Sequence, residues 1–219
     1  MAFDEHVTQN VLNYITAHLP PDSWFDEFFS FVDDLDLKKI LIEEFKGIRY
    51  LYKIFEGLEA DDFLLRVQIK TQITCYASIY EAVIHHLLFV TFKDSDLVKD
   101  LYKYPTKKAF SIPQAHMSKL EQYLEHDGKT IIPMYDAVGR TSITQIKFEA
   151  KANCAHQLGL ISEKLKDELI QIYHCRNAIH LHAEMKKDLT YDELDLSKIA
   201  YRRMQLFREQ ILNSINLTV

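Results

Sequence analysis

The densest reactive chemistry in the chain is His174-Cys175-Arg176-Asn177-Ala178-Ile179-His180-Leu181-His182. An arginine offers a phosphate two parallel charge-assisted hydrogen bonds and does not lose its proton. An imidazole, with an ordinary pKa of about 6.5, exchanges protons near neutrality. Together they suit cleavage of an RNA phosphodiester by its own 2′-hydroxyl. A base takes the hydroxyl proton, a cation holds the charge developing on the phosphorane, and an acid protonates the leaving 5′-oxygen. An amide such as Asn177 can bond a non-bridging oxygen or orient the histidine. The products would be a 2′,3′-cyclic phosphate and a 5′-hydroxyl, with no metal or cofactor needed.

A helix must carry these groups. Leu165, Leu169 and Ile172 recur at helical spacing, and the same face runs on to Arg176, then Ile179 and His180, then Ala183. A guanidinium in line with an apolar stripe requires partners, because burying an unpaired charge is costly. It faces a cleft or a second subunit, or an acid such as Glu81 holds it inside the fold. We read it as facing a cleft. On an ideal helix Arg176 and His182 diverge by about 120°, whereas Arg176 and His180 share a face. Aiming Arg176 and His182 at one phosphate therefore takes a deformed helix, or two copies of the motif meeting across a two-fold axis. The assignment is Arg176 and His182 as the leading pair, with Asn177 in support and His180 as the alternate histidine.

Arg176-Asn177 with His182 beyond it resembles the signature of the HEPN superfamily of small helical domains. The lead-in is similar too: a helix ending in Leu158-Gly159-Leu160-Ile161, a start at Ser162, and an amphipathic run into Arg-Asn. The segment from Tyr76 to His86 resembles the first core helix of those domains. The likeness spans about residues 62–219. It implies an all-α antiparallel helical bundle acting as a metal-independent endoribonuclease. It also implies a homodimeric, composite active site and a toxin or defence role, with a nucleotidyltransferase-like antitoxin as a possible partner. In the commonest spacing the histidine falls where this chain has Leu181. His180 and His182 straddle that slot, and the family pattern does not choose between them. The alternative is a catalytically inactive HEPN-like module that binds RNA, a nucleotide or a partner protein; the acidic net charge and the spacing favour it.

Other chemistries lack their signatures. His174, Cys175, His180 and His182 do not have paired metal-ligand spacing. His85 and His86 are neighbours that point apart on a helix, so core or surface is their expected place. There is no phosphate-cradling glycine loop and no Gly-x-Ser-x-Gly elbow. Cys75, Cys154 and Cys175 form no CxxC pair and leave an odd count, as expected of reduced thiols in a cytoplasmic protein.

The positioning elements follow from pattern. With 47% hydrophobic residues and only five Gly and five Pro in 219, the chain is expected to be helical and globular. Residues 1–60 read as N-terminal helices packed on a domain over 61–219, interrupted by an irregular insertion at about 93–141. The aromatic run from Trp24 to Phe31 is expected in the core or at a subunit contact, and a third function for the chain would be a partner docking there. Asp61 and Asp22-Ser23 read as helix caps. A helix over 62–91 would be roughly 45 Å long. Within the insertion, Gln114 to Glu125 reads as a short helix, Asp127-Gly128 as a turn and Thr130-Ile131-Ile132 as a strand without a partner. Lys103, Lys107, Lys108 and Lys119 read as solvated surface. Ser142-Ile143-Thr144-Gln145 has the capping-box pattern. No apolar run reaches membrane-spanning length, and Met1-Ala2-Phe3-Asp4-Glu5 is acidic rather than a basic leader. The net charge of -6 argues against broad nonspecific nucleic-acid binding but leaves room for a local basic cleft.

Overall fold

The structure, a computed structural model, describes residues 4–179 and 195–218. Among them the chain is mostly helical, with one small two-stranded sheet. It divides into two compact units: Met1–Lys93 with Phe148–Val219, and Asp94–Lys147.

The first unit is built on α4 (Asp62–His86), which packs against α3 (Leu35–Gly57), α7 (Phe148–Gln157), α8 (Glu163–Asn177) and α9 (Asp195–Thr218). Ile69, Ile73, Tyr76, Ile79, Tyr80 and Val83 are all buried on it and form one broad apolar face about 120° wide. It continues directly into a π turn, Leu87–Thr91. The combined 30 residues contain an 18-residue window with a mean hydropathy of 1.4 and are long and apolar enough to cross a bilayer. The sequence reading had no run of that length. In the fold, 56% of the most apolar window is buried, and Gln68, Gln72 and His86 lie buried along the same helix.

The aromatic run settles into the core. Trp24, Phe25 and Phe28 of α2 (Asp22–Phe28), with Phe29, surround Phe45 of α3 at centroid distances of 5.0 to 5.9 Å. Phe25, Phe28 and Phe29 are buried within their own chain, so their rings are not available to dock a partner. α1 (Glu5–Ala17) lies on α3. Two expected caps do not form: Asp61 makes no capping bond to α4, and Pro21 occupies the cap position of α2.

α7 ends where the chain must turn. Gly159 has φ +75°, the left-handed conformation that glycine adopts without strain, and the N–H of Leu160 donates to the carbonyl of Ala155 at 3.0 Å. Ser162 then starts α8, its Oγ accepting from the N–H of Leu165 at 3.3 Å. Leu165, Leu169, Ile172 and Cys175 form the buried face of α8, which closes at Ala178.

The second unit corrects the expectation of an all-α chain with an irregular insertion. β1 (Lys103–Ala109) pairs antiparallel with β2 (Met134–Arg140), in register from Lys103 opposite Arg140 to Ala109 opposite Met134. α5 (Asp96–Asp100) precedes the sheet, and α6 (Gln114–Tyr123) lies in the connection. The strand signal at Thr130-Ile131-Ile132 falls just short of β2. Its partner was hidden because β1 is almost wholly exposed and carries Pro105 and three lysines, so it has no apolar alternation. Tyr104 faces Gly139 across the ladder, where a Cβ would stand 2.4 Å from the phenol ring. Ser142 does not open α7. Its Oγ lies 3.0 Å from Thr144 Oγ1, Gln145 accepts from Thr141, and the helix begins at Phe148.

Candidate active site around Arg176

Arg176 and Asn177 occupy the last turn of α8, and the helix stops at Asn177. The divergence expected of an undistorted helix running to His182 therefore does not apply. His180 and His182 lie outside the described residues.

Arg176 is half-buried, and its Nη1 donates to Tyr173 Oη at 3.1 Å and to Asn177 Oδ1 at 3.3 Å. Its guanidinium carbon stands 5.1 Å from the centroid of the Tyr173 ring, within cation–π range. Tyr173 is fixed in turn by stacking on Phe148 of α7, with centroids 4.3 Å apart and planes 15° from parallel. A rigid aromatic thus sets the direction of the arginine. Among the described residues no carboxylate bonds to Arg176.

Glu81 is nonetheless close. It pairs with Lys151 of α7 at 3.2 Å, and the Lys151 side chain is only 6% exposed. Burial pushes the Tyr173 hydroxyl above the usual tyrosine pKa. The negative charge of Glu81 and its hydrogen bond to the phenol add to that rise, while Arg176 opposes it. Tyr173 therefore links the Glu81–Lys151 pair to Arg176. Lys151 offsets Glu81, and among the described residues Arg176 has no direct counter-ion.

His85 belongs to the same neighbourhood. Burial and the positive charge of Lys151 hold its imidazole below its ordinary pKa, with Glu81 acting in the opposite direction. A neutral imidazole near pH 7 can accept a proton. Its ring meets Phe89 of the π turn at 4.8 Å, and π turns inside helices are frequent at functional sites. The sequence placed His85 at core or surface because adjacency on a helix says nothing about what another helix brings opposite. Tyr173 and Lys151 were missed for the same reason. The spacing of Tyr173, three residues before Arg176, was the one local clue.

Cys75 and Cys154 are poor nucleophiles. Burial pushes Cys75 up to about 12, with the charge and hydrogen bond of Glu44 adding to the shift, and burial pushes Cys154 up to about 11. No protein-family model matches the chain, and neither a curated protein nor a solved structure matches it.

Proposed function

We propose that the chain is a metal-independent endoribonuclease of HEPN type, a helical bundle that cleaves RNA to a 2′,3′-cyclic phosphate and a 5′-hydroxyl. The observation that carries this reading is the state of Arg176. It is half-buried, aimed by Tyr173 and Asn177, and has no carboxylate bonded to it among the described residues. A structural arginine in an apolar stripe would be expected to hold an acid directly. One held by a phenol and an amide keeps its charge available to a phosphate.

In this mechanism Arg176 binds the non-bridging oxygens and stabilises the phosphorane. His182, with His180 as the alternate, transfers the protons, and Asn177 bonds substrate or orients the imidazole. A homodimer places two motifs together, the working environment is the cytoplasm, and the role is that of a toxin or defence effector held by a nucleotidyltransferase-like antitoxin.

The test is cleavage of a mixed RNA pool in excess chelator, with the 3′ ends analysed for cyclic phosphate. Arg176→Ala and His182→Ala should each lower the rate at least about a hundredfold with the far-ultraviolet dichroism unchanged. If both variants cut as fast as the parent, the assignment fails. If the parent binds RNA without cutting it, the chain is a binding module.

A further inference from the structure

A polar concavity lies on the other half of α4, between α3, α4 and α9. Four cations line it, Arg49, Lys53, Lys198 and Arg202, against one carboxylate, Glu56. Glu56 is already engaged. Lys53 sits 2.5 Å from it, and Tyr14 donates to it at 3.1 Å. The other three cations have no carboxylate partner among the described residues. Arg49 instead lies 4.1 Å over the Tyr201 ring. Three cations without a carboxylate bonded to them among the described residues share one hollow, on a chain whose net charge is -6.

The floor of the hollow is made of buried polar groups. Gln72 is 2% exposed and Ser197 1% exposed, and both line it. The Gln72 amide opens onto the hollow, where it can donate to and accept from whatever occupies it. Ser197 stands in the first turn of α9, where a long helix presents the positive end of its dipole. The volume is about 290 Å³, at the small end of ligand pockets, or space for about ten water molecules.

We infer that this hollow is a binding site for a small phosphomonoester, its phosphate held by Arg49, Lys198 and Arg202 and its hydroxyl-bearing remainder by Gln72. A dianion matches the excess charge better than a single carboxylate, and an arginine fork suits phosphate oxygens. The faces of Tyr201 are occupied by Arg49 and by neighbouring rings, including Tyr76 at 6.1 Å. A flat base therefore has no open platform there, and a compact sugar-like body fits better. The inference does not depend on the ribonuclease reading, since none of these residues belongs to the Arg176 site.

The experiment is calorimetric titration of the full chain at low salt with ribose 5-phosphate, glucose 6-phosphate, inorganic phosphate, the two unphosphorylated sugars and a single-stranded oligonucleotide. At least one sugar phosphate should bind while its parent sugar does not. The double variant Lys198→Ala/Arg202→Ala should weaken binding at least about tenfold. Neither side chain has a partner to lose among the described residues, so the variant should keep the parent's melting temperature; Gln72→Leu, which removes only the amide, supplies a second reading. Binding of no sugar phosphate, equal binding by parent and variants, preference for inorganic phosphate over both esters, or binding of the oligonucleotide alone would each overturn the inference.

Discussion

The ion pair beneath the Arg176 site makes an asymmetric prediction. The Lys151 side chain is 6% exposed and that of Glu81 is 29% exposed, at a separation of 3.2 Å. Removing one partner of a buried pair costs about 3–5 kcal/mol when the remaining charge is stranded. Glu81→Gln strands the ammonium in a site that water barely reaches. The amide oxygen recovers part of the interaction, so the expected loss is about 2–3 kcal/mol. Lys151→Met removes the charge while keeping the stem packed, and it leaves Glu81 with water and the Tyr173 hydroxyl. Its expected loss is under about 1 kcal/mol. At about 2–4 °C per kcal/mol for a chain of this size, Glu81→Gln should lower Tm by roughly 4–12 °C. Lys151→Met should lower it by less than about 4 °C. Urea titrations of both variants and of the double variant measure the free energies directly, and the double variant should be more stable than Glu81→Gln alone. If Lys151→Met proves as damaging as Glu81→Gln, burial of the ammonium is not what makes the pair matter.

Other expectations follow from the same contacts. His85 has a folded pKa below its unfolded value, so the fold disfavours the charged imidazole. Its contribution to stability is complete above about pH 6.5 and falls as pH drops through that value towards the folded pKa. Proton NMR titration should find His85 below 6.5 and moved upward in Lys151→Met, and His85→Gln should remove its share of the pH slope. Phe45→Ala empties the centre of the aromatic cluster at a position that is 0% exposed and should cost about 3–5 kcal/mol, read by urea denaturation. Gly159→Ala forces a side chain onto φ +75° and should cost about 1 kcal/mol without altering the Arg176 site, as measured by Tm and RNA cleavage. With Cys75 and Cys154 pushed up to about 12 and about 11, neither thiol should react rapidly with a disulfide reagent at pH 7 until urea unfolds the chain.

The parts of this fold that were legible in sequence are those in which apolar residues recur with the helical period. α3, α4, α8 and α9 are visible in that way, as is the Gly159-to-Ser162 junction, because stop and start signals are local chemistry. The β1–β2 ladder was not legible. Pro105 and the lysines of β1 leave no alternation, and a strand held by backbone bonds leaves little trace in side-chain pattern. Ser142-x-x-Gln145 misled because the serine hydroxyl had a nearer partner in Thr144. At the candidate site, Arg176 and Asn177 could be found from type and spacing. Glu81 and His85 share a face of α4, but Lys151 joins them only when α7 meets α4. The cationic hollow was beyond sequence reasoning, since Arg49 and Arg202 stand about 150 positions apart and each is unremarkable alone.

α4 carries both candidate sites on a single rod. Gln72 and Tyr76 serve one, and Glu81 and His85 the other, with about 20 Å of helix axis between the first and the last of these. A mutational scan would therefore show this segment as the least tolerant in the chain, whichever property was screened. A substitution such as Ile79→Ala, midway along, would tilt both walls together and silence unrelated readouts in parallel. Shared sensitivity along α4 is a signature of common scaffolding, and only changes at side-chain tips, such as Gln72→Leu or His85→Gln, separate one activity from the other.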